Sequence, residues 1–354
     1  MFPKLNQRFI LDFSTKIPHQ IEEFRRSEPF FSALKQTIRT YRRFFTLLFL
    51  KQLNLELDLI PENASKILWL NPSSTSIGDS IMELSGRKLL NHAKFEVHLL
   101  SDRKNSSLYL EDLVFSKVFN DPSQIVETYD LILMDVYNTK SIKMKSKYFP
   151  NVSFCALQGY FYGADFNRLL FSFHRVNALL NYPYTQNEVD SLAHNYLCIN
   201  DLPTEDFQVV IAVGGEDYLR TYLSWNVVIG ELLELNPHLR ICLLGSENGL
   251  VFAEKIVAEF GDRVTSQVAK LSLLGAAGVI ARAQVFIGAD GGLMHIAAAF
   301  NLNGVALFAK FRPELRLAKN SQVIPIFSSS NVNQIKPSQI IAELKQLNLV
   351  RRDL

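Results

Sequence analysis

The chain has 354 residues, 48% of them apolar and 20% charged, which is enough for two domains that each have a sizeable core. The formal net charge is only +2, so composition gives no indication of a nucleic-acid partner. The three cysteines, Cys155, Cys198 and Cys242, lie far apart in or beside apolar runs, which indicates free thiols in a reducing compartment rather than a metal site or a disulfide framework.

Residues 1–60 are predicted to be a basic, amphipathic N-terminal extension. Over residues 1–51, Lys and Arg outnumber Asp and Glu by ten to four, and Phe, Leu and Ile recur at helical spacing. No signal-peptide pattern is present, and the apolar run at 44–50 is far shorter than the roughly 20 residues that span a bilayer. Two interpretations remain open: a helix on an anionic membrane surface, or a helix packed on the adjacent domain. We expect a cytoplasmic protein, soluble or peripheral on the inner face of the cytoplasmic membrane.

Strand and helix patterns alternate over residues 61–175 and predict a first Rossmann-like domain. The apolar strand at 65–71 is followed by a helix over about 80–90. Further strands are predicted at 95–101, near 120, and at 129–136 and 152–158. This order is typical of an open, parallel α/β sheet.

The turn after the first strand, residues 73–80, contains Gly78 and Asp79. One interpretation is that Asp79 is the N-cap of the next helix. The other is that its carboxylate faces a ligand cleft as a general base, kept ionised by the helix N-terminus.

A run of lysines follows the fourth strand of this domain. Residues 138–147 contain four lysines, among them Lys143 and Lys145. A solvated loop is the simpler interpretation, and a basic lip that binds an anionic acceptor is the alternative.

A second α/β series begins after an irregular, mostly helical stretch at about 160–205, which we predict to connect the domains. Strands are predicted at 207–215, 239–247, 264–268, 283–290 and 303–309. Residues 176–336 should therefore form a second Rossmann-like domain, with a ligand site in the cleft between the two domains. The final segment, 337–354, should contain a helix that can cross back to the first domain.

Two segments of the second domain have candidate ligand-binding residues directly after a predicted strand. Gly215 ends the first strand and Arg220 follows it, although a plain tight turn is an equally good interpretation. Glu247 lies beyond the next strand, where a carboxylate binds ribose hydroxyls or is simply a surface acid. The full GxGxxG spacing of a dinucleotide site is absent, which argues against a nicotinamide dehydrogenase.

The segment at 270–308 is the most informative one. A strand ends at Asp290, and Gly291 and Gly292 begin a helix whose free N–H groups favour a phosphate. His295 lies in the first turn of that helix, either as a phosphate contact or as a core histidine.

Taken together, these segments resemble glycosyltransferase family nine, the bacterial lipopolysaccharide heptosyltransferases. That family has a G-D turn near the first strand, a K-x-W helix start, an LSL segment and a final D-[TS]-G-x-x-H-[LI]-A-A-A block. The matching positions here are Gly78-Asp79, Arg220-Thr221-Tyr222, Leu271-Ser272-Leu273 and Asp290 to Ala299. The resemblance is close over about 205–310, patchier over 65–175, and does not extend to the first 60 residues.

The resemblance implies a GT-B fold, two Rossmann-like domains facing each other across a cleft. It also implies inverting transfer, without a metal or cofactor, from ADP-heptose or a related nucleotide-sugar to an anionic lipopolysaccharide acceptor. Asp79 would be the base and Arg220 would meet the diphosphate, and both are therefore candidate catalytic residues. The donor would also contact Gly215, Glu247, Leu271, Asp290, Gly291, Gly292 and His295. Gly78, Lys143 and Lys145 would bind the acceptor.

Three positions depart from the family pattern. Gly291 stands where the family has Thr or Ser, so one hydroxyl donor is missing. Arg220 replaces Lys, which differs in reach and geometry, and Tyr222 replaces Trp.

The resemblance makes a heptosyltransferase of the lipopolysaccharide inner core the leading hypothesis. The alternatives are a protein heptosyltransferase and a catalytically weakened nucleotide-sugar-binding homologue.

Overall fold

The computed structural model describes residues 30–72, 76–91, 93–158, 167–200, 207–215, 217–309 and 311–347. Residues 1–29 of the predicted N-terminal extension lie outside these ranges, so the prediction for them stays a prediction. The chain divides into two compact units between Ala193 and His194. Within the described ranges, no helix combines the length and the apolar character that crossing a membrane requires.

The first unit is built on a five-stranded sheet in the order β3-β2-β1-β4-β5, and every pairing is parallel. Its strands are β1 (Lys66–Asn71), β2 (Glu96–Ser101), β3 (Phe115–Phe119), β4 (Leu131–Val136) and β5 (Ser153–Gln158). Its helices are α1 (Phe30–Phe49), α2 (Ile77–Leu84), α3 (Thr139–Tyr148), α4 (Arg168–Leu179) and α5 (Gln186–Leu192). The strands at the centre, β1 and β4, are buried almost throughout, as their continuous apolar sequences predict.

The first unit extends beyond the predicted domain boundary at 175/176, which would cut helix α4. That helix buries Leu169, Phe171 and Phe173 and packs against α2 and the turn that follows it. The approach is close: a Cβ on Gly86 would lie 2.5 Å from the carbonyl oxygen of Ser172. Because its apolar face is used within the first unit, α4 belongs to that unit rather than to a connection.

The second unit contains a six-stranded parallel sheet in the order β11-β10-β9-β6-β7-β8. Its strands are β6 (Val209–Ala212), β7 (Ile241–Leu244), β8 (Val264–Ser266), β9 (Val285–Ala289), β10 (Asn303–Phe308) and β11 (Val323–Phe327). Its helices are α6 (Trp225–Leu235), α7 (Leu250–Phe260), α8 (Leu273–Arg282), α9 (Gly292–Ala299) and α10 (Pro337–Gln346). The sequence did not indicate β11, a half-buried edge strand that contains Pro325.

The C-terminal helix packs within the second unit over residues 337–346. Ile340, Ile341 and Leu344 of α10 are buried in the apolar core of this unit. The hydroxyl of Tyr222 donates to the carbonyl of Ile335, 3.0 Å away, just before the helix. These contacts attach α10 to the rest of the second unit.

Both sheets therefore have the doubly wound arrangement. In each, the chain builds outwards on one side of the first strand and then continues on the other side of it. The strand order reverses between β1 and β4 in the first unit and between β6 and β9 in the second. Ligands of such sheets bind beyond the carboxyl ends of the strands at this reversal, so these two places are where a site is expected.

Candidate active site

The reversal in the second unit brings Arg220 and Asp290 together. Asp290 follows β9, and Arg220 lies in a short helical turn after β6. Arg220 Nη1 lies 3.7 Å from Asp290 Oδ2 and 3.4 Å from the Asp290 carbonyl oxygen, to which it donates. Asp290 is only 6% exposed, so its carboxylate holds the guanidinium at the edge of the sheet.

Helix α9 begins directly beside this pair. Gly291 is the N-cap, with an extended backbone at φ 176°, and the helix runs from Gly292 to Ala299. The amide groups of its first turn have no carbonyl partner within the helix. Together with Arg220 they provide fixed positive potential in one place, which suits a diphosphate.

The neighbouring strands bring the remaining donor candidates to the same edge. The loops after β6 and β7 are joined by Asn248, whose Nδ2 donates to the Gly215 carbonyl over 2.7 Å. Glu247 is exposed at the start of the short helical turn after β7. Leu271 is 38% exposed and lies just before α8, beyond the outer strand β8. The structure thus collects the predicted donor residues, apart from His295, along one edge of one sheet.

His295 is placed differently from the prediction that it faces a diphosphate. Its side chain is 2% exposed, and Asn195 Nδ2 lies 3.5 Å from its Nδ1 and donates to it. Burial, with a smaller effect from the Arg316 charge, lowers the pKa of His295 to about 3. The imidazole is therefore neutral at physiological pH and brings no positive charge to a phosphate.

In the first unit, Gly78 and Asp79 lie in the first turn of α2 at the carboxyl end of β1. Ser76 occupies the N-cap position, so the interpretation of Asp79 as the cap is wrong. The Asp79 side chain is 36% exposed and lies near Arg168, the first residue of α4. A partly exposed carboxylate at the start of a helix is suited to accepting a proton.

Arg168 and Glu83 are the residues of this edge that the sequence reasoning missed. Arg168 Nη1 donates to Glu83 Oε1, and Arg168 Nε lies 3.9 Å from Asp79 Oδ1. The available signal was the spacing of Asp79 and Glu83, which puts two carboxylates on one helix face. Nothing in the local sequence identifies Arg168 as their partner.

A buried acid lies beneath these residues at the end of β4. Asp135 is fully buried and accepts a hydrogen bond from Asn71 Nδ2 at the end of β1. Burial, followed by the negative charge of Glu83, raises its pKa well above the usual value. Asp135 is therefore a buried acid that is harder to ionise than an exposed one.

The lysine run at 138–147 forms helix α3 rather than a loop. Its two candidate acceptor residues, Lys143 and Lys145, lie in different environments. Lys143 is exposed and lines a shallow groove with Phe45 and Phe49 of α1. Lys145 is fully buried, and its Nζ donates to Gln52 and lies 5.3 Å from the centre of the Phe154 ring. Lys145 is therefore not part of a basic lip, because it points into the unit.

Residues 173–340 match the family model described as glycosyltransferase family 9 (heptosyltransferase). They form a family 9 glycosyltransferase domain. The match covers the donor candidates from Gly215 to His295 but not Asp79. This domain indicates glycosyltransferase activity. No curated protein sequence matches it.

Solved structures agree with the family 9 assignment at the level of the fold. A glycosyl transferase family 9 structure from Veillonella parvula is 12% identical, with TM-score 0.66, over 83% of this chain and 99% of that one. The E. coli heptosyltransferase WaaC with ADP is 15% identical, with TM-score 0.64, over 79% and 99%. E. coli ADP-heptose lps heptosyltransferase II is 16% identical, with TM-score 0.60, over 80% and 98%. The two Rossmann-like units are therefore those of a GT-B-like fold.

In the described part of the chain, no group of three or more His, Cys, Asp and Glu side chains is arranged to hold a metal ion. No disulfide joins the three cysteines: Cys155 and Cys242 are buried, and Cys198 is partly exposed.

Proposed function

We propose that this protein is an inverting, metal-independent heptosyltransferase that moves heptose from ADP-heptose to the lipid A–Kdo inner core of lipopolysaccharide. The observation that carries the proposal is the Arg220–Asp290 contact beside the glycine start of α9, within a family 9 domain. The names of two similar structures support the donor and the class of acceptor: one is a heptosyltransferase with ADP and the other an ADP-heptose lps heptosyltransferase. The lipid A–Kdo acceptor itself is what the family resemblance implies.

The proposed mechanism uses one group from each unit. Asp79 accepts the proton of the acceptor hydroxyl while the hydroxyl oxygen bonds to the anomeric carbon. The bond from that carbon to the diphosphate breaks, and its electron pair leaves with ADP, so the configuration inverts. Arg220 and the amide groups of Gly291 and Gly292 stabilise the charge that develops on the diphosphate. Because these groups supply the positive potential, the proposal needs no metal ion or cofactor.

The donor half of the proposal is tested by calorimetry with ADP. Arg220→Met should weaken ADP binding by about 10- to 100-fold, because a charge-assisted hydrogen bond is worth roughly 1.5–3 kcal/mol. Arg240→Met is the matched control, because Arg240 is exposed just before β7, at the opposite edge of the sheet. Equal losses in both variants would contradict the assignment of Arg220.

The acceptor half is tested by incubating the protein with ADP-heptose and Kdo-lipid A, with the product anomer read by NMR. Asp79→Asn should lower kcat by at least about 100-fold and leave ADP affinity unchanged. Asp58→Asn removes an exposed carboxylate of the same unit and should keep full activity. Transfer to a protein acceptor alone would indicate a protein heptosyltransferase. ADP binding without turnover on either acceptor would indicate a weakened homologue.

We further propose that α1 attaches the protein to the inner face of the cytoplasmic membrane. Its described side chains include an exposed apolar stripe, formed by Ile38, Phe45, Leu48 and Phe49. Phe45 and Phe49 stack with ring centroids 6.2 Å apart, and Arg42 and Lys143 line the adjacent groove. Apolar side chains beside cations fit the interface of an anionic bilayer.

Vesicle sedimentation tests this attachment. Phe49→Glu should lower partitioning into phosphatidylglycerol vesicles by about tenfold or more, because burying a Phe side chain is worth roughly 1.5–3 kcal/mol. Val126→Glu is the control, since Val126 is also exposed and apolar but lies outside the stripe. Failure of the wild-type protein to sediment with the vesicles would refute the attachment.

A further inference from the structure

One guanidinium in the first unit lies between two carboxylates of the same helix. Asp79 and Glu83 are one turn apart on α2, so their side chains share a face. Arg168 donates from Nη1 to Glu83, and its Nε lies 3.9 Å from Asp79 Oδ1. Glu83 is 2% exposed, whereas Asp79 is open to solvent on one side. Arg168 therefore pairs with one buried carboxylate, that of Glu83, and lies near one partly exposed carboxylate, that of Asp79.

The backbone that carries Arg168 is fixed to the same helix. Asn167 caps α4, its side chain accepting from the Leu170 amide over 3.1 Å. One turn further on, the Ser172 hydroxyl donates to the carbonyl of Glu83 and accepts from the Gly86 amide. The absence of a side chain at Gly86 allows this approach. Arg168 is thus held against α2 by main-chain contacts as well as by its ion pairs.

Charge explains why the guanidinium stays in place. Among the described residues, the charged and titratable groups that act on Arg168 are Asp79 and Glu83 on α2 and Asp135 on β4. Burial alone would lower the pKa of Arg168, but the nearby carboxylates outweigh it and the pKa is raised. Asp135 is buried with a raised pKa, so Glu83 and Asp79 are the carboxylates that pair with the cation.

We infer that Arg168 is a positioning residue for Asp79. Anchored by Glu83, its guanidinium lies 3.9 Å from Asp79 Oδ1 and orients that carboxylate towards the acceptor hydroxyl. This inference rests on the proposed role of Asp79 as the base.

During transfer, the hydroxyl proton passes to Asp79, the hydroxyl oxygen bonds to the anomeric carbon, and the electron pair of the broken bond leaves with the diphosphate. The neutral Asp79 then loses its attraction to Arg168, which favours return of the proton to solvent.

The test measures the protonation of Asp79 directly in the full chain. Protein labelled with ¹³C-Asp is titrated by carboxyl NMR, and the Asp79 signal is assigned with Asp79→Asn. In Arg168→Gln, the Asp79 carboxyl should take up its proton at higher pH than in the wild type, because the variant lacks the cation 3.9 Å from Oδ1. Arg168→Lys should retain most of the wild-type value, since it keeps the charge.

Two further variants keep the result interpretable. Arg168→Gln leaves Glu83 buried without its cation, so Glu83→Gln in the same chain removes that charge if the single variant does not fold. Arg103→Gln is the matched control, because Arg103 is an exposed arginine of the same unit, just after β2. It should leave the titration of Asp79 unchanged.

Transfer assays provide the second readout. Loss of a neighbouring cation makes a carboxylate harder to ionise, so the acid limb of kcat/KM in Arg168→Gln should move to higher pH, as the NMR titration does. An unchanged Asp79 titration would overturn the inference, and an unchanged titration with a raised acceptor KM would show that Arg168 contacts the acceptor instead. Full activity of Asp79→Asn would overturn the proposed function, and the NMR result would still be read without any substrate.

Discussion

His295 shows how burial changes the chemistry of a residue that the sequence places beside a phosphate site. Its side chain lies inside the second unit, next to Asn195, and the pKa is lowered to about 3 because burial disfavours the charged ring. The unfolded chain takes up a proton near pH 6.5, but the folded chain does not. Stability should therefore fall as the pH drops below about 6.5, by roughly 1.4 kcal/mol per pH unit until about pH 3.

Urea unfolding at pH 7.5 and pH 5.5 measures this contribution. The wild-type protein should lose about 1.4 kcal/mol more than His295→Gln between the two conditions. His238→Gln should behave as the wild type, since His238 is exposed. Equal losses in the wild type and His295→Gln would show that His295 takes up its proton in the folded state.

Gly291 is the second position at which one residue decides the donor site. Its backbone is extended at φ 176°, and a Cβ there would lie 3.7 Å from the Ala289 carbonyl oxygen. A side chain is therefore tolerated, and the family pattern has Ser or Thr at this place. Gly291→Ser should bind ADP about two- to tenfold more tightly than the wild type, because it adds one hydrogen bond worth roughly 0.5–1.5 kcal/mol.

Gly291→Ala separates the hydroxyl from the methylene group. Calorimetry with ADP should give Gly291→Ala an affinity close to that of the wild type, with Gly291→Ser tighter than both. A Ser variant that binds no more tightly than the Ala variant would mean that this position does not face the diphosphate.

At the scale of the element, α3 shows a lysine-rich segment that folds as a helix because of its partners. Residues 139–148 are mostly polar, but Ile142 and Lys145 share one face and are fully buried. A basic loop was a reasonable expectation from composition alone, because helical spacing is weak here. Packing on the first unit decides the structure, and it turns Lys145 inwards while Lys143 stays exposed.

The two lysines of α3 should respond differently to pH. Burial lowers the pKa of Lys145 to about 8, whereas an unfolded lysine titrates near 10.5. Between these values the unfolded chain binds more protons, so the wild-type protein should gain stability as the pH rises from 8 to 10. Lys145→Met should lack this gain and Lys143→Met should retain it, as measured by urea unfolding at both pH values. A gain that persists in Lys145→Met would exclude Lys145 as its source.

The whole molecule divides the proposed chemistry between two units. Every predicted donor residue, from Gly215 to His295, lies in the second unit. This unit has its own apolar core, which is built from residues at positions 209 to 344. Asp79, Glu83 and Arg168 lie in the first unit. In each unit, candidate site residues thus lie beyond the carboxyl ends of the strands where the strand order reverses.

A fragment of residues 194–354 should fold by itself and bind ADP, but it should transfer no sugar, because it lacks Asp79. Circular dichroism establishes folding and calorimetry the affinity, with Arg220→Met in the fragment as the negative control. A folded fragment that does not bind ADP would show that the donor site requires residues of the first unit.

The alternation of buried parallel strands with helices, and the positions of the Gly-Asp and Gly-Gly turns, could be predicted from the amino-acid sequence. These features are local in sequence. A continuous apolar run predicts a strand that is buried on both faces of its sheet, and glycines after a strand predict the tight turn into the next helix. Which side chains are charged and which are paired depends on tertiary contacts. Arg168 and Glu83 are 85 residues apart in sequence, and the neutral state of His295 and the inward direction of Lys145 depend on burial by distant elements. Partners that are distant in sequence, and the loss of water around a side chain, leave no periodic pattern that can be read along the chain.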